Sequence, residues 1–335
     1  MNFVIVGSNF ISDTFLMAAQ QVAEFDFYGI CSRKKSTAQT FIKKNRYNKP
    51  VKIFLTLHDV CSDPQVDAVY IASPNHLHAS QAIQCLQAKK HVLGEKPSAA
   101  NLRELQEVFA AAQTNNCLYM EAFMTSYLPN FQRLKNNLPR LGKIRKFHGR
   151  FEQYSSRYDA YLKGNIPNWC RLDYANGALV DIGIYPLALI LALWGNPDHI
   201  MASAIKLATG VDAAGDMLLT YKQTTTTKQA MINYSKITQG SNISEFQGEL
   251  GRIEIKEISQ LKHMTLILND GTKEVISLPF EPNIMQYELI SFIEEIKNFQ
   301  PKATPKSQGF SELLMSVMQQ VRQQLNIVYP SDCKS

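Results

Sequence analysis

The sequence predicts an α/β protein, with an N-terminal doubly wound parallel sheet followed by an α+β domain that contains a large, mostly antiparallel sheet. The chain has 335 residues, which is long for one domain and suits two. Up to Ala122, short β-branched runs alternate with longer helical stretches. After Ala122, longer strand-like runs are joined by turns. We therefore predict domains at residues 1–122 and 123–335.

The first domain is predicted from alternating strands and helices. The runs that predict strands lie at 3–6, 25–31, 51–54, 68–72, 91–93 and 118–121. The stretches with helical periodicity lie at 10–23, 36–44, 76–88 and 101–114. The run Ala68–Ala72 is apolar throughout, as expected for a strand buried on both faces. This βαβ rhythm predicts a Rossmann-type parallel sheet with helices on both faces.

The second domain is predicted from its strand-like runs and two late helices. A helix at 130–138 precedes strands at 143–152, 200–207, 214–221, 229–234, 252–257 and 264–269. Asn269-Asp270-Gly271 is a strong hairpin sequence, because these residues accept the backbone angles of tight turns. The late helices are predicted at 285–298 and 310–325. A largely antiparallel sheet of this kind offers a face for a homodimer or homotetramer.

Composition and charge exclude several classes of protein. The net charge of +6 comes from scattered basic residues, so nucleic-acid binding is not indicated. No apolar run approaches the roughly 20 residues needed to cross a bilayer, so we expect no membrane association. The six cysteines form no CxxC pair, which favours reduced thiols in a cytoplasmic protein. His76 and His78 lack a third ligand, so no metal site is predicted.

A dinucleotide loop is predicted where the first strand meets the first helix, because a helix N-terminus binds pyrophosphate. The usual pattern is G-x-G-x-x-G, but here Asn9 and Ser12 stand at the second and third glycine positions. Asn reaches left-handed backbone angles more readily than most residues, and Ser is small enough for close packing. On this segment alone, a plain strand-to-helix turn is an equally good interpretation. The residues predicted to bind cofactor here are Gly7, Ser8, Asn9, Phe10 and Ile11.

The end of the second strand favours NADP, with NAD as the alternative. NAD sites usually place a carboxylate about 20 residues beyond the glycine loop, where it binds the ribose 2′-hydroxyl. This chain has Ser32 and Arg33 there, followed by two lysines. A hydroxyl and cations suit a 2′-phosphate, although an exposed basic loop has the same composition.

Three further segments identify a family. They read ASPNHLH at 72–78, GEKP at 94–97 and GALVDIGIYP at 177–186. In this order and spacing they resemble the glucose–fructose oxidoreductase/inositol dehydrogenase (Gfo/Idh/MocA) family, over nearly the whole chain. The run Tyr119–Met124 and the tyrosine of the last segment are most similar to the dimeric dihydrodiol dehydrogenase branch. That resemblance implies an NADP-dependent oxidoreductase.

Lys96 is the predicted centre of the chemistry. It follows a buried strand, at the carboxyl edge where open α/β sheets bind ligands. Pro97 restricts Lys96 to extended backbone angles. An ammonium at this position can hydrogen-bond a substrate oxygen and stabilise alkoxide charge as it develops. A surface lysine is the alternative interpretation.

Asp181 and Tyr185 are four residues apart and would share a face if 181–193 is a helix. Tyr185 is predicted as the general acid–base, helped by a nearby ammonium that favours the phenolate. Many members of the family have histidine at this position. Asp181 would orient the substrate hydroxyl and Lys96. A helix N-cap and a core tyrosine are the structural alternatives for the two residues.

The resemblance implies further cofactor contacts. The backbone of Ser73, Pro74 and Asn75 is expected to lie against the cofactor, with His78 close by. Glu95 is expected to contact the cofactor or to support Lys96. Trp169 and Arg171 are expected to line the cofactor or substrate pocket, with interdomain packing as the alternative. Asn176 replaces a glycine that relatives usually have before Gly177.

The resulting prediction is an NADP(H)-dependent oxidoreductase for a small molecule that carries a secondary alcohol or carbonyl: a sugar, polyol or cyclic diol. Hydride would pass between nicotinamide and substrate carbon, and Tyr185 with Lys96 would move the proton. A non-catalytic, dinucleotide-binding regulatory protein is one alternative, motivated by the glycine-poor loop. Redox-assisted elimination or glycoside cleavage is the other.

Overall fold

The strands predicted in the first domain form one parallel sheet. The structure is a computed structural model that describes residues 1–222, 227–279, 281–300 and 307–333. Within these residues the sheet contains β1 Asn2–Val6, β2 Asp26–Cys31, β3 Lys52–Phe54, β4 Ala68–Ile71, β5 His91–Glu95 and β6 Tyr119–Ala122. Their order is β3-β2-β1-β4-β5-β6, and every pair is parallel. The order reverses at β1 and β4, where sheets of this type bind ligands at the carboxyl ends of the strands.

The helices of this unit lie close to their predicted positions. They are α1 Phe10–Ala19, α2 Lys35–Asn45, α3 Leu57–Ser62, α4 His78–Gln87 and α5 Leu102–Thr114. The short helix α3 was not predicted, because six residues give too little periodicity to detect. Asn101 directly precedes α5 and caps it: its side-chain oxygen accepts a hydrogen bond from the Glu104 amide at 2.9 Å.

The first compact unit also includes a late segment of the chain. It comprises residues 1–124 and 282–312, whereas the second unit comprises 125–281 and 313–335. This division differs from the predicted second domain at 123–335. Helix α9, Gln286–Lys297, belongs to the first unit: Phe292 packs edge-on against Phe3 at 6.1 Å, and Lys297 forms an ion pair with Glu24 at 2.7 Å. These contacts join residues far apart in sequence, so a local pattern does not reveal them.

The second unit is built on a mostly antiparallel sheet of eight strands within the described residues. They are β7 Ile144–Glu152, β8 His199–Lys206, β9 Asp212–Lys222, β10 Thr227–Ser235, β11 Ile243–Gly248, β12 Gly251–Lys256, β13 His263–Leu268 and β14 Lys273–Val275. Their order is β14-β13-β12-β11-β7-β10-β9-β8, and only β10 and β7 pair in parallel. The predicted fold class is therefore confirmed.

The loop sequence at 269–271 forms the predicted hairpin between β13 and β14. Strands β11 and β14 were not predicted: β11 is largely polar, and all three residues of β14 are exposed. The other helices of the described chain are α6 Pro129–Asn137, α7 Tyr158–Leu162, α8 Ile184–Trp194 and α10 Gln308–Gln324.

The helix predicted at 181–193 begins differently. Residues Leu179–Gly183 form a π-helical turn that continues into α8. A π turn is rare and often occurs at functional sites, because it inserts a residue that shifts the helix face. Asp181 and Tyr185 are thus not both in regular α-helix, as the prediction of a shared face assumed.

The stretch that contains this π turn is an exception to the expectation that no apolar run approaches the length needed to cross a bilayer. Among the described residues, Leu172–Trp194 is long and apolar enough to cross a membrane by length and composition. In the structure, 72% of its apolar window is buried inside the protein. Burial of this kind is typical of a core helix in a globular domain, which passes the same test of length and hydropathy.

Asp212 holds the start of the π turn in place. Its carboxylate accepts a hydrogen bond from the Leu179 amide at 2.6 Å, and the residue is 1% exposed. A Cβ atom on Gly177 would lie 2.1 Å from the other carboxyl oxygen, so only glycine fits there. Burial raises the pKa of Asp212 to about 6, because a charged carboxylate is poorly solvated inside the protein.

We predict that wild type loses stability relative to Asp212→Asn as the pH rises from about 4 to about 6. In this window the folded chain retains a proton on Asp212 that the unfolded chain has released, so rising pH favours unfolding. The relative loss within this window is about 2 kcal/mol, out of about 3 kcal/mol for the whole difference of about two pKa units. Urea unfolding of both proteins across this pH range measures it. The exposed Asp216→Asn on the same strand is the control, and parallel curves for wild type and Asp212→Asn would contradict the prediction.

Candidate active site

The dinucleotide loop is shaped by close approach of the chain at Gly7. Gly7 has φ +103°, and a Cβ atom there would lie 2.6 Å from the Ala72 carbonyl oxygen. The Gly7 amide donates to the carbonyl of Cys31 at 3.1 Å. The loop after β1 is therefore packed between the ends of β2 and β4, and a side chain at position 7 would separate them.

Asn9 has a different role from the one expected. Its backbone is extended, with φ −98° and ψ −176°, so the expectation of left-handed angles was wrong. Its side-chain oxygen accepts from the Ser12 amide at 3.1 Å and caps α1. Its side-chain amide donates to the Ala72 carbonyl at 2.8 Å. Asn9 thus acts through its side chain, and it links the start of α1 to the end of β4.

The first turn of α1 can receive an anion. Ser12 is fully buried, so the small side chain expected for close packing is present. The amides of Phe10 and Ile11 have no acceptor within the helix, because the first turn lacks a preceding one. The Phe10 ring is 74% exposed, which leaves a large apolar surface beside this N-terminus. Amides and helix dipole together favour a bound phosphate.

The predicted 2′-phosphate residues lie at the end of β2. The Ser32 amide donates to the Phe54 carbonyl at 3.0 Å, which fixes the backbone where the strand ends. Arg33 and the two lysines that follow it are exposed. Their positions agree with a phosphate-binding role, and equally with an exposed basic loop.

His78 joins two loops rather than presenting a free ring. The residue is 2% exposed. Its Nδ1 lies 2.9 Å from the Pro97 carbonyl, and its Nε2 lies 2.7 Å from the Ser73 carbonyl. Burial lowers the pKa of His78, although both carbonyls oppose that effect. Both ring nitrogens therefore face protein carbonyls, and the predicted contact of His78 with cofactor stays a prediction.

Of the other predicted residues in this loop, the Ser73 hydroxyl donates to Gln81 at 2.7 Å. Pro74 precedes a short 3₁₀ turn, Asn75–Leu77, that continues into α4. Hydrogen bonds therefore hold the loop between β4 and α4. The peptide groups of this loop lie at the carboxyl edge of β4.

Lys96 follows β5 and is supported by Glu95. The Glu95 carboxylate accepts from the Tyr70 hydroxyl at 2.6 Å and from the Lys96 amide at 3.1 Å. Burial raises the pKa of Glu95, while the Lys96 charge opposes that shift. The Lys96–Pro97 peptide bond is cis. The two predicted roles of Glu95, contact with cofactor and support of Lys96, stay predictions.

Two buried carboxyl groups near this position were missed by the sequence analysis. Glu121 accepts from the Ser98 amide at 3.0 Å and from the Ser311 hydroxyl at 2.7 Å. Glu288 is fully buried, and neither of its carboxyl oxygens has a hydrogen-bond partner in the described structure. Burial and the charge of Glu95 raise the pKa of Glu288 well above its usual value. Glu121 lies in a strand pattern and Glu288 in a helical pattern. Such patterns predict local structure but not the burial of an individual carboxyl group.

In the second unit, Asp181 forms an ion pair with Lys236, which follows β10 and is 8% exposed. Sequence analysis missed Lys236, because nothing in its neighbourhood marks a lysine 55 residues away as a partner of Asp181. The Lys236 ammonium also lies 4.8 Å from the centroid of the Trp169 ring. The indole nitrogen of Trp169 is buried without a hydrogen-bond partner in the described structure.

Tyr185, in the first turn of α8, lies beside Phe151, with ring centroids 5.7 Å apart. Phe151 in turn lines a cavity of about 310 Å³ within the second unit. Most of the lining is polar, and the residues are Arg150, Phe151, Gln153, Gln239, Asn242, Glu257, Ile258, Ser259 and Gln260. The side-chain oxygen of Gln260 is buried there without a partner among the described residues. Such a lining suits a ligand with several hydroxyl groups.

Arg171 is engaged locally. Its guanidinium pairs with Asp173 at 2.5 Å and lies 4.1 Å from the centroid of the Tyr174 ring. The Asn176 side chain donates to the Asn168 carbonyl at 3.2 Å, so the residue that replaces the usual glycine helps to hold this loop.

The structure thus gathers two groups of predicted residues. The first unit brings together the loops at Gly7, Ser73 and Lys96. The second brings together Asp181 and Trp169 through Lys236. In the part of the chain that the structure describes, no group of three or more His, Cys, Asp or Glu side chains is arranged for a metal ion.

Comparison with known proteins matches both units. The sequence model of the GFO_IDH_MocA oxidoreductase family, with an NAD-binding Rossmann fold, matches residues 1–123, and that of the GFO/IDH/MocA C-terminal domain matches 137–254. The chain is 36% identical to the Bacillus subtilis scyllo-inositol 2-dehydrogenase (NADP(+)) IolU, covering 99% of both chains. It is 26% identical to trans-1,2-dihydrobenzene-1,2-diol dehydrogenase of Sus scrofa, covering 98% of both.

Solved structures share the fold. A 3-ketoreductase from Actinomadura kijaniata, in complex with NADP and TDP-benzene, has a TM-score of 0.83 at 23% identity, over 98% of this chain and 99% of the other. A levoglucosan dehydrogenase in complex with NADH and levoglucosan has a TM-score of 0.81 at 17% identity, over 97% of both chains.

We predict that Gly7→Ala greatly weakens dinucleotide binding. The new Cβ would have to move the Ala72 carbonyl, and with it the loop that begins at Ser73. Gly271→Ala is the matched control, because its φ of +91° is similarly unfavourable for alanine but nothing lies within 4 Å of the added atom. Titration with NADPH, followed by nicotinamide fluorescence, measures the effect. Equal affinities in the two variants would show that the close approach at Gly7 does not matter.

Proposed function

The chain belongs to the Gfo/Idh/MocA oxidoreductase family, and from this premise we propose that it is an NADP(H)-dependent oxidoreductase of sugars, polyols or cyclic diols. The matches to the two family sequence models confirm the family predicted from sequence motifs. The observation that carries the proposal is the placement of Lys96 and the Gly7 loop at the carboxyl edge of one parallel sheet. That edge is where sheets with this strand order bind dinucleotides.

The residues of the first unit suit a dinucleotide. The glycine at position 7 leaves room that a Cβ would fill, and the first turn of α1 directs amides outward. Phe10 and Ile11 would hold the pyrophosphate, and Ser32 with Arg33 would hold the 2′-phosphate. When bound, the nicotinamide supplies or accepts a hydride. The similarity to a relative named for NADP(+) supports the choice of NADP over NAD.

Proton transfer is assigned to Tyr185 with help from Lys96. A phenol with an ordinary pKa of about 10 donates or accepts a proton more readily near neutral pH when a cation stabilises its anion. Lys96 is held by its amide through the Glu95 carboxylate, which limits where the ammonium can reach. That ammonium would stabilise negative charge on the substrate oxygen. Asp181 would accept a hydrogen bond from a substrate hydroxyl.

The cavity beside Phe151 supports the proposed substrate class. Its amide and hydroxyl side chains can each donate or accept hydrogen bonds, as a molecule with several hydroxyl groups requires. Names of relatives, which include an inositol dehydrogenase and a dihydrodiol dehydrogenase, support the same class. The glycine-poor loop no longer favours a non-catalytic protein, because Asn9 replaces the glycine with a helix cap.

We also propose a homodimer or homotetramer formed through the eight-stranded sheet. Pairing aligns Met201, Leu218 and Met231 in one row across β8, β9 and β10. Met201 is 67% exposed and Met231 is 43% exposed. An apolar row of this kind on an exposed sheet face favours association with a second copy.

We predict that Lys96→Met and Tyr185→Phe each lower kcat by about 10²–10⁴-fold, the usual contribution of a positioned acid–base group. Affinity for NADPH should change little, because neither change alters the Gly7 loop. The assay is a panel of sugars, inositols and cyclic diols with NADP⁺ or NAD⁺, followed by absorbance of the reduced cofactor. Tyr28→Phe, which removes a phenol that donates to Asp63 at 3.0 Å, is the control. Near-native rates in both site variants would refute the assignment.

We further predict that Arg33→Ala raises KM for NADP⁺ by about tenfold or more and leaves KM for NAD⁺ unchanged. The expected loss corresponds to one charge-assisted hydrogen bond to the 2′-phosphate. Lys43→Ala, an exposed cation near the end of α2, is the control. If both cofactors are affected equally, Arg33 does not bind the 2′-phosphate.

A further inference from the structure

Lys236 is a buried cation whose position is fixed by the sheet. It directly follows β10, its amide donates to the Ala213 carbonyl at 2.8 Å, and its carbonyl accepts from the Ser155 amide at 2.9 Å. The backbone is therefore held from both sides. Its side chain is 10% exposed, so the ammonium has given up most of its water.

An ammonium in this position needs compensation, because burial of an unpaired charge costs several kcal/mol. Lys236 obtains it from two groups. The carboxylate of Asp181 forms an ion pair with it, and the face of Trp169 lies 4.8 Å from the ammonium. Both partners were predicted as site residues from other observations.

Asp181 lies within the π turn Leu179–Gly183, where the helix face is displaced from regular α geometry. A carboxylate in such a turn is not oriented by helix periodicity alone. The ion pair with Lys236 adds a constraint on its position, since it joins the turn to the end of β10. An ionised carboxylate is also an acceptor only, whereas a protonated one donates.

We propose that Lys236 is a positioning residue that holds Asp181 as an ionised hydrogen-bond acceptor for the substrate hydroxyl. This inference rests on the proposed function of Asp181. In this role Lys236 takes part in neither hydride transfer nor proton transfer, and it acts through Asp181.

Other charged or titratable groups also lie close to the π turn or to Lys236, among them the buried thiol of Cys170. Asp212, from β9, is bound to the Leu179 amide, and Tyr234, from β10, packs against Gly183. Tyr185 lies one turn further along α8. On strand β7, Gly149 and Phe151 lie on this side and Glu152 follows on the alternate face, while Arg150 lines the cavity beside Phe151. Lys236 forms an ion pair with Asp181 and is therefore positioned to influence the ionisation of that carboxyl group.

The test is a double-mutant cycle with a pH profile. In alcohol oxidation, Lys236→Met should lower kcat/KM at least tenfold at neutral pH and leave dinucleotide affinity unchanged. The acidic limb of the kcat/KM profile should move upward by about one unit or more, because loss of an adjacent cation raises the pKa of a carboxyl. Lys236→Arg, which keeps the charge, should restore the wild-type limb.

If Lys236 acts through Asp181, the double variant Lys236→Met/Asp181→Asn should be no slower than Asp181→Asn alone. Lys228→Met is the matched control, since Lys228 also lies over a tryptophan, 5.3 Å from the centroid of Trp194, on the same strand. Melting curves identify variants that fail to fold, and Lys236→Gln then replaces Lys236→Met.

The outcomes separate the two proposals. An active wild type whose acidic limb is unchanged in Lys236→Met, or additive losses in the double variant, would overturn the role of Lys236 alone. A wild type without dinucleotide-dependent turnover on the substrate panel would overturn the proposed function and this inference together.

Discussion

The contact between Gly7 and the Ala72 carbonyl constrains the rest of the first unit. Because the chain passes so close there, the loops after β1 and β4 share one small space, and Asn9 bonds across it. His78 then connects the β4 loop to the peptide after Lys96. The loops at the ends of three neighbouring strands are therefore linked by polar contacts. A ligand at this edge would meet a framework that is already ordered, which reduces the entropy lost on binding.

Buried charge is the second constraint, and it has different solutions in the two units. Around Lys96, the carboxyl groups of Glu95, Glu121 and Glu288 are all buried, and burial raises the pKa of each. Glu95 lies nearest to the lysine in sequence and shares hydrogen bonds with Tyr70 and the Lys96 amide. Like charges that are close together in a poorly solvated interior cannot all ionise.

In the second unit, two ionisable side chains hold the π turn. Asp212 holds its beginning through the Leu179 amide, and Lys236 holds Asp181 at its centre. Gly177 is required because any side chain would collide with Asp212. The motif recognised in the sequence as GALVDIGIYP thus combines a steric requirement, a backbone anchor and a paired carboxylate. The first two depend on Asp212 of β9, and the third depends on Lys236, which follows β10.

The sequence by itself determined the fold class and most strands and helices, because apolar periodicity reports which face of each element is buried. Its motifs also placed Lys96, Asp181 and Tyr185 in a known family, and their catalytic roles remain predictions. Tertiary structure alone decided that Asn9 caps a helix, that His78 lies between two carbonyls, and that helix α9 packs with the first unit. It also revealed Lys236 as the partner of Asp181. The physical reason is that a hydrogen bond or ion pair depends on distances of a few ångströms between distant segments, and those distances are set by sheet order and register.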